Sequence, residues 1–439
     1  MNALLRLIVM CALSGGLILP SLAAEIPTQL EPSAVPRVPV PKSPYIAPVY
    51  RYADTMLAKG RDNVGPQKTG VLLSALDRTT FAPLASSPAA PAGVRAGARV
   101  NGANPQHDEN LLRLLYTLSE LTLKPVYREA ADAELKWFLE NTASPFSRWE
   151  VIKDEPIASE SGSFRPWVLW DRCFDLAPEP ARKFVLGLKD ESGSPREAGF
   201  RIRTWAVAYA RTKDEQFLKS ITATLDRFDK KRDSERANAA SLLSLAIDCA
   251  GAAHRVPEPL ASRLRAFAAR EDTAFCALPH ELKTKGGFVA VGDVPTPLWM
   301  AGSGGATTAQ IGMMCVSRYE NSGHIGHREL IHAAADAYLK SMPGAEDDVW
   351  PATFGHVMCL QLAAWRSTSK PIYFDRAREL GNAALEKYFG QDALPRASLK
   401  SEHYETLTGA DTLALALLEL HLDVLHITAA RCPSNTIDR

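Results

Sequence analysis

The sequence predicts an all-α fold, an (α/α) barrel or toroid of six or seven helical hairpins. Three observations predict it. Apolar residues recur at spacings of three and four along most of the chain, and strand-like alternation is nearly absent. Short polar joints return every ~40–55 residues, the length of a helical hairpin repeat. The last apolar segment, 411–421, is hydrophobic on nearly every side.

Taken in chain order, Arg6, the apolar run 7–19 and the small residues Ser21 to Ala24 have the layout of a signal peptide over 1–24. The segment 25–48 holds seven prolines, so it reads as an extended tether. The barrel domain is expected over 49–430, with a short tail at 431–439. A stretch rich in Ala, Gly, Ser and Pro, 83–105, reads as a long surface loop. Helical spacing then appears at Leu112, Leu115, Leu118 and Leu121, at Trp205, Val207 and Tyr209, at Ile311, Met314, Cys315 and Tyr319, and at Val357, Leu360 and Trp365. The clearest joints fall at Lys124-Pro125, Asp214-Glu215, His324-Ile325 and Lys370-Pro371, with weaker ones at Ala177-Pro178 and Val256-Pro257. A Gly- and Pro-rich insertion, 276–305, widens one interval. A hairpin cannot bury its apolar faces alone and must stack on neighbours. A final helix that is apolar all round must be buried on all sides, which favours the inner layer of a closed ring over an open array.

The chain has 439 residues, with 50 Lys+Arg against 50 Asp+Glu. With 46% hydrophobic and 23% charged residues, wholesale disorder is excluded. The neutral balance argues against a nucleic-acid partner, which would call for a basic excess. Beyond the signal peptide no stretch is long and uncharged enough for a membrane span. The mature protein is expected to be exported, to a periplasm or the exterior. Its six cysteines beyond Cys11 are scattered without a CxxC, which points to buried thiols, with one or two disulfides open. Oligomeric state is not encoded in any pattern here.

His403 and Tyr404 precede the final apolar helix, and His356 begins another, so both histidines are expected at the barrel mouth. Arg201 and Arg203, Lys283 and Lys285, and Arg396 and Lys400 are cations that would suit an anionic sugar chain. Trp149, Trp167, Trp170 and Trp299 are candidates for stacking on sugar rings. Asp154 and Glu155 are adjacent and cannot face each other as a hydrolytic pair, whereas Glu197 with Asp154 or Glu405 could supply one. No GxSxG, P-loop or HExxH motif occurs.

Several motifs carry a resemblance. Arg51 to Leu57 with Gly60 to Pro66, Phe164-Arg165-Pro166-Trp167, Pro195 to Phe200, and His403-Tyr404-Glu405 with Thr408 to Asp411 resemble segments of the pectate lyases of polysaccharide lyase family 2. The likeness spans most of 50–421. It implies an (α/α)7 barrel and β-elimination of polygalacturonate or a related acidic glycan. It implies Arg196 as the catalytic base and Arg165 and Trp167 among the substrate-binding residues; Arg201, His356, His403 and Tyr404 join them as candidates from their charge and their place ahead of the inner helices. It also implies a divalent transition metal, but the ligand positions are replaced. Glu197 follows the arginine where the family has a histidine, Ser144 to Trp149 contains none, and Gly162-Ser163 stands where His-Glu is expected. No metal ligand is therefore assigned. The partner implied is an acidic polysaccharide or oligosaccharide. A glycoside hydrolase on the same ring, and a catalytically degraded relative that binds oligosaccharide, remain open at this level.

Overall fold

A computed structural model describes residues 43–427 except 65, 85–89, 95–101, 145, 158–165, 190–192, 231–238, 290–293 and 302–304. The expected signal peptide at 1–24, nearly all of the expected tether, Arg165, Cys432 and the 431–439 tail lie outside the described residues. The chain divides into two compact units, 1–40 and 41–439, and everything described belongs to the second.

Among the described residues are fourteen α-helices, and they form seven pairs. The inner members are α2 (Glu109–Thr122), α4 (Trp170–Leu176), α6 (Pro195–Thr212), α8 (Ala239–Ala253), α10 (Thr308–Ser322), α12 (Pro351–Thr368) and α14 (Ala410–Val424). Their outer partners are α3 (Pro125–Asn141), α5 (Pro178–Gly187), α7 (Gln216–Lys230), α9 (Leu260–Cys276), α11 (Ile325–Tyr338) and α13 (Pro371–Ala384), with α1 (Ile46–Lys59) on α14. Neighbouring inner helices pack side by side from α4 through α14, and α14 also packs on α2 and α1. Val168 N–H donates to Glu109 Oε1 at 2.6 Å and joins the start of α4 to α2, so the ring closes. Every residue from Ala410 to Leu418 is buried, which is why a segment with no polar face sits in the inner layer.

The joints are built alike. Thr122, Thr212 and Thr368 each return a hydroxyl to the carbonyl four residues back, and Ser322 does the same. The next residue, Leu123, Lys213, Ser369 or Gly323, is left-handed, with φ between 57° and 68°. The residue after it donates its N–H to that same hydroxyl at 3.2–3.3 Å. Pro125 and Pro371 then open the next helices, where a missing N–H costs nothing. A left-handed residue with a Cβ is strained by roughly 1–2 kcal/mol. Leu123 is 87% exposed, so its side chain contributes little packing. Leu123→Gly is expected to stabilise the chain by about 0.5–1 kcal/mol in a denaturant titration. A loss of stability would show that the side chain is needed.

The opposite connections, from outer to inner helices, are mostly long, notably 60–108, 142–169, 277–307 and 385–409. They carry two small sheets. Strand β1 (Ala75–Leu76) pairs antiparallel with β5 (Tyr404–Glu405), Ala75 opposite Glu405. Strand β3 (Arg148–Glu150) lies between β2 (Gly102–Ala103) and β4 (Glu155–Ile157). A Cβ on Gly102 would stand 1.8 Å from the Trp149 carbonyl oxygen, so only glycine allows that pairing.

Two expectations are corrected. The tether was expected to run through residue 48, but α1 begins at Ile46 and buries Pro48 in its first turn, where proline is tolerated. The 83–105 stretch is not simply a surface loop. Its described parts include β2 and buried Leu84 and Asn104, and Ala92 N–H donates to Asp348 Oδ2 at 3.1 Å. The five described cysteines beyond Cys11 are all free thiols. No described helix is long and apolar enough to cross a membrane.

Candidate functional site

Adjacent inner helices run parallel, because their first turns touch. Asn110 Nδ2 donates to Thr412 Oγ1 at 2.9 Å, and Leu111 N–H donates to Asp411 Oδ2 at 2.9 Å, tying α2 to α14. A Cβ on Gly355 would stand 3.0 Å from the Thr412 carbonyl oxygen, so α12 meets α14 at the same level. The N-termini of the inner helices and the long connections therefore share one end of the barrel. Helix N-termini gathered at one end favour negative charge there.

Arg196 and Arg201 stand on α6 at that end. Ser194 Oγ accepts the Glu197 N–H at 3.3 Å and Glu197 Oε2 accepts the Ser194 N–H at 3.1 Å, a capping box that fixes the first turn. Glu197 thus has a structural role at the position where the resemblance expects a metal-binding histidine. Arg196 is half-buried, and Arg201 is buried with its guanidinium beside Gly193 and Glu197. Further along α6, Arg203 meets the fully buried Asp248 of α8 at 3.4 Å, and Gly199 makes room for that carboxylate.

Across the ring, His356 is buried in the second turn of α12. His403 Nε2 lies 2.9 Å from Glu405 Oε2, and both side chains are buried. Residues two apart on an extended segment point to the same face, and the one between points away. Tyr404 accordingly points into the core, where its hydroxyl meets that of Tyr52 at 2.9 Å. Glu405, weighed from sequence only as half of a hydrolytic pair with Glu197, is instead the partner of His403.

Arg196 and Arg201 thus stand early on α6, His356 early on α12, and His403 just ahead of α14. The structure does not bring the aromatic candidates to a cleft. Trp167 is fully buried, edge-on to Phe146 at 5.1 Å, and Tyr404 is fully buried too. Trp149, Trp170 and Trp299 are likewise core residues. Rings enclosed on both faces offer no platform to a sugar. Lys285, Lys400 and Arg396 are each matched by a neighbouring acid, Glu281, Glu346 and Glu402. The metal implied by the resemblance does not fit the residues present. Glu197 is committed to the helix cap, and among the described residues no three His, Cys, Asp or Glu side chains gather to hold an ion.

No family model matches this chain, and no curated protein matches it in sequence. Among solved structures it is similar to a D-mannose isomerase, at 9% identity over 87% of this chain and 97% of that one, with a TM-score of 0.49. It is also similar to an inactive alpha-1,6-mannanase of Salegentibacter sp. in complex with alpha-1,6-mannotetrose, at 9% identity over 85% and 99%, TM-score 0.44. A third is an unsaturated glucuronyl hydrolase of Streptococcus agalactiae complexed with dGlcA-GalNAc6S, at 10% identity over 85% and 90%, TM-score 0.42. These are distant likenesses, and the site described above stands on this chain's own residues.

Proposed function

We propose that this is an exported, carbohydrate-active protein that binds an acidic glycan at the long-loop end of its barrel and cleaves it by β-elimination. The observation that carries the reading is the buried His403–Glu405 pair at the same end as Arg196 and Arg201. Elimination removes the proton beside a uronate carboxylate. The electron pair left behind forms the C4–C5 double bond, the C4–O4 bond breaks, and the departing oxygen takes up a proton. Negative charge grows on the carboxylate as the first proton leaves, so cations fixed beside it lower the barrier. Arg196 and Arg201 supply them, with the helix N-termini adding to the field. A base must reach the proton. An arginine is a poor base, whereas an imidazole oriented by a buried carboxylate is a good one. This reading gives that step to His403 and keeps Arg196 on the substrate carboxylate, in place of the base role the resemblance implies for it.

The test is incubation of the full-length protein with polygalacturonate. An unsaturated, ultraviolet-absorbing product is expected, and Arg201→Ala is expected to lose it while melting within a few degrees of the parent. New reducing ends without that absorbance would replace elimination by hydrolysis. Binding without turnover would make the chain a non-catalytic oligosaccharide binder.

A further inference from the structure

The connection after α1 doubles back as a strap over 60–76 before reaching the barrel mouth. Two buried acids hold it. Glu134 of α3, 1% exposed, accepts the Leu72 N–H at 2.8 Å through Oε2. Asp108, fully buried just ahead of α2, accepts the Ser74 hydroxyl at 2.8 Å through Oδ2. Ser74 is the knot. Its Oγ takes the Asn104 N–H at 2.9 Å and its carbonyl takes the Thr406 N–H at 2.9 Å, so the strap, β2 and β5 meet there.

The other oxygen of each acid, Asp108 Oδ1 and Glu134 Oε1, has no hydrogen-bond partner among the described residues. The groups that bear on the pair offer little positive charge. Tyr52 of α1 and Tyr404 of β5 feel Asp108, the Thr406 side chain and the Asn104 backbone hydrogen-bond toward it and favour its ionised form, and Asp108 in turn bears on Glu134. The cation that bears on Glu134 is Arg61, whose guanidinium already donates to the Leu57 and Gly70 carbonyls. Two dry carboxyl groups that bear on one another are costly as anions and cheap as acids.

We infer that Asp108 and Glu134 form a proton-loaded latch, which clamps the strap and β5 in neutral or acid medium and lets them go in alkaline medium. Burial, the main cause, pushes Asp108 up to about 7 and Glu134 up to about 8. The folded chain therefore keeps protons that the unfolded chain gives up. The latch's contribution is complete below about pH 4, where both states are protonated. It falls as pH rises and is lost through pH 7–8. This inference does not rest on the proposed chemistry, since its readout is the strap itself.

Hydrogen exchange of full-length protein, corrected for intrinsic rate, tests it at pH 6 and pH 9. Amides in 70–76 and 404–406 are expected to lose at least tenfold in protection at the higher pH, ahead of α12 and α14. The double variant Asp108→Asn with Glu134→Gln, which mimics the protonated pair, is expected to hold its protection at both. Equal protection at both pH values in the parent, or equal loosening in the double variant, would overturn the latch. Should the double variant not fold, infrared spectra of the parent decide. A protonated-carboxyl band at pH 6 that vanishes by pH 9 is expected, and its absence at pH 6 would overturn the inference.

Discussion

Asp272→Ala is expected to lower the unfolding free energy by about 3–5 kcal/mol at neutral pH. Asp272, near the end of α9, takes Arg318 Nε on Oδ1 at 2.8 Å and the terminal guanidinium nitrogen on Oδ2 at 2.7 Å. His327 Nε2 lies 2.9 Å from Oδ1. The three side chains are 1%, 3% and 0% exposed and bind α9, α10 and α11 into one unit. Removing the carboxylate leaves the guanidinium buried without its counter-charge, which costs more than the pair itself contributes. Burial alone would raise the Asp272 pKa, but the hydrogen bonds from Arg318 and His327 outweigh it and hold the group below the ordinary carboxylate range. A depressed carboxylate stabilises the fold above its unfolded value of about 4, and the stabilisation is lost as pH falls through the folded value. Denaturant titrations of parent and variant should differ most at pH 7 and draw together as pH falls below about 4. A gap unchanged by acid would refute the ionic account and leave only lost packing.

His403→Ala is expected to lower kcat/KM on an acidic glycan by ~10²–10⁴, the usual worth of a positioned base. Glu405→Gln should cost less, because the imidazole remains but loses the carboxylate that orients it. The carboxylate is 2% exposed and 2.9 Å from Nε2, so little solvent separates the two groups. Tyr404→Phe separates this role from mere proximity. Its hydroxyl meets Tyr52 in the core, so its loss should cost about 1 kcal/mol of stability and leave turnover within a few-fold. Full turnover in His403→Ala would take the base role from His403 and return it to Arg196. A large kinetic loss in Tyr404→Phe would mean that β5 works as a unit, with no single base on it.

What was legible in the sequence is what neighbouring residues decide. Leucines at spacings of three and four, the Lys-Pro joints and the all-apolar run from Leu413 to Leu418 each report a period, a turn or a burial demand that needs no distant partner. They led to the helical hairpins, the closed ring and the inner place of α14, while the number of pairs, left at six or seven, is seven among the described residues. Pro48 shows the limit of composition. It counted toward an extended tether, yet proline is acceptable in the first turn of a helix, and the packing of α1 on α14 settled the matter.

The site was legible only in part, because facing is a long-range property. Trp167 and Tyr404 carry suitable chemistry for a sugar, but their rings meet Phe146 and Tyr52 in the core. Glu197 reads as a lost metal ligand in one dimension and as half of a capping box in three. Asp108 and Glu134 are 26 positions apart and carry no shared motif, and burial alone makes them a pair. By itself the sequence determined the helices, their joints and their tendency to close into a ring, since those follow from local periodicity and backbone chemistry. Only the tertiary structure decided which polar groups are dry, which meet and which end of the barrel they share. Desolvation and charge act across space, and a linear order does not contain those distances.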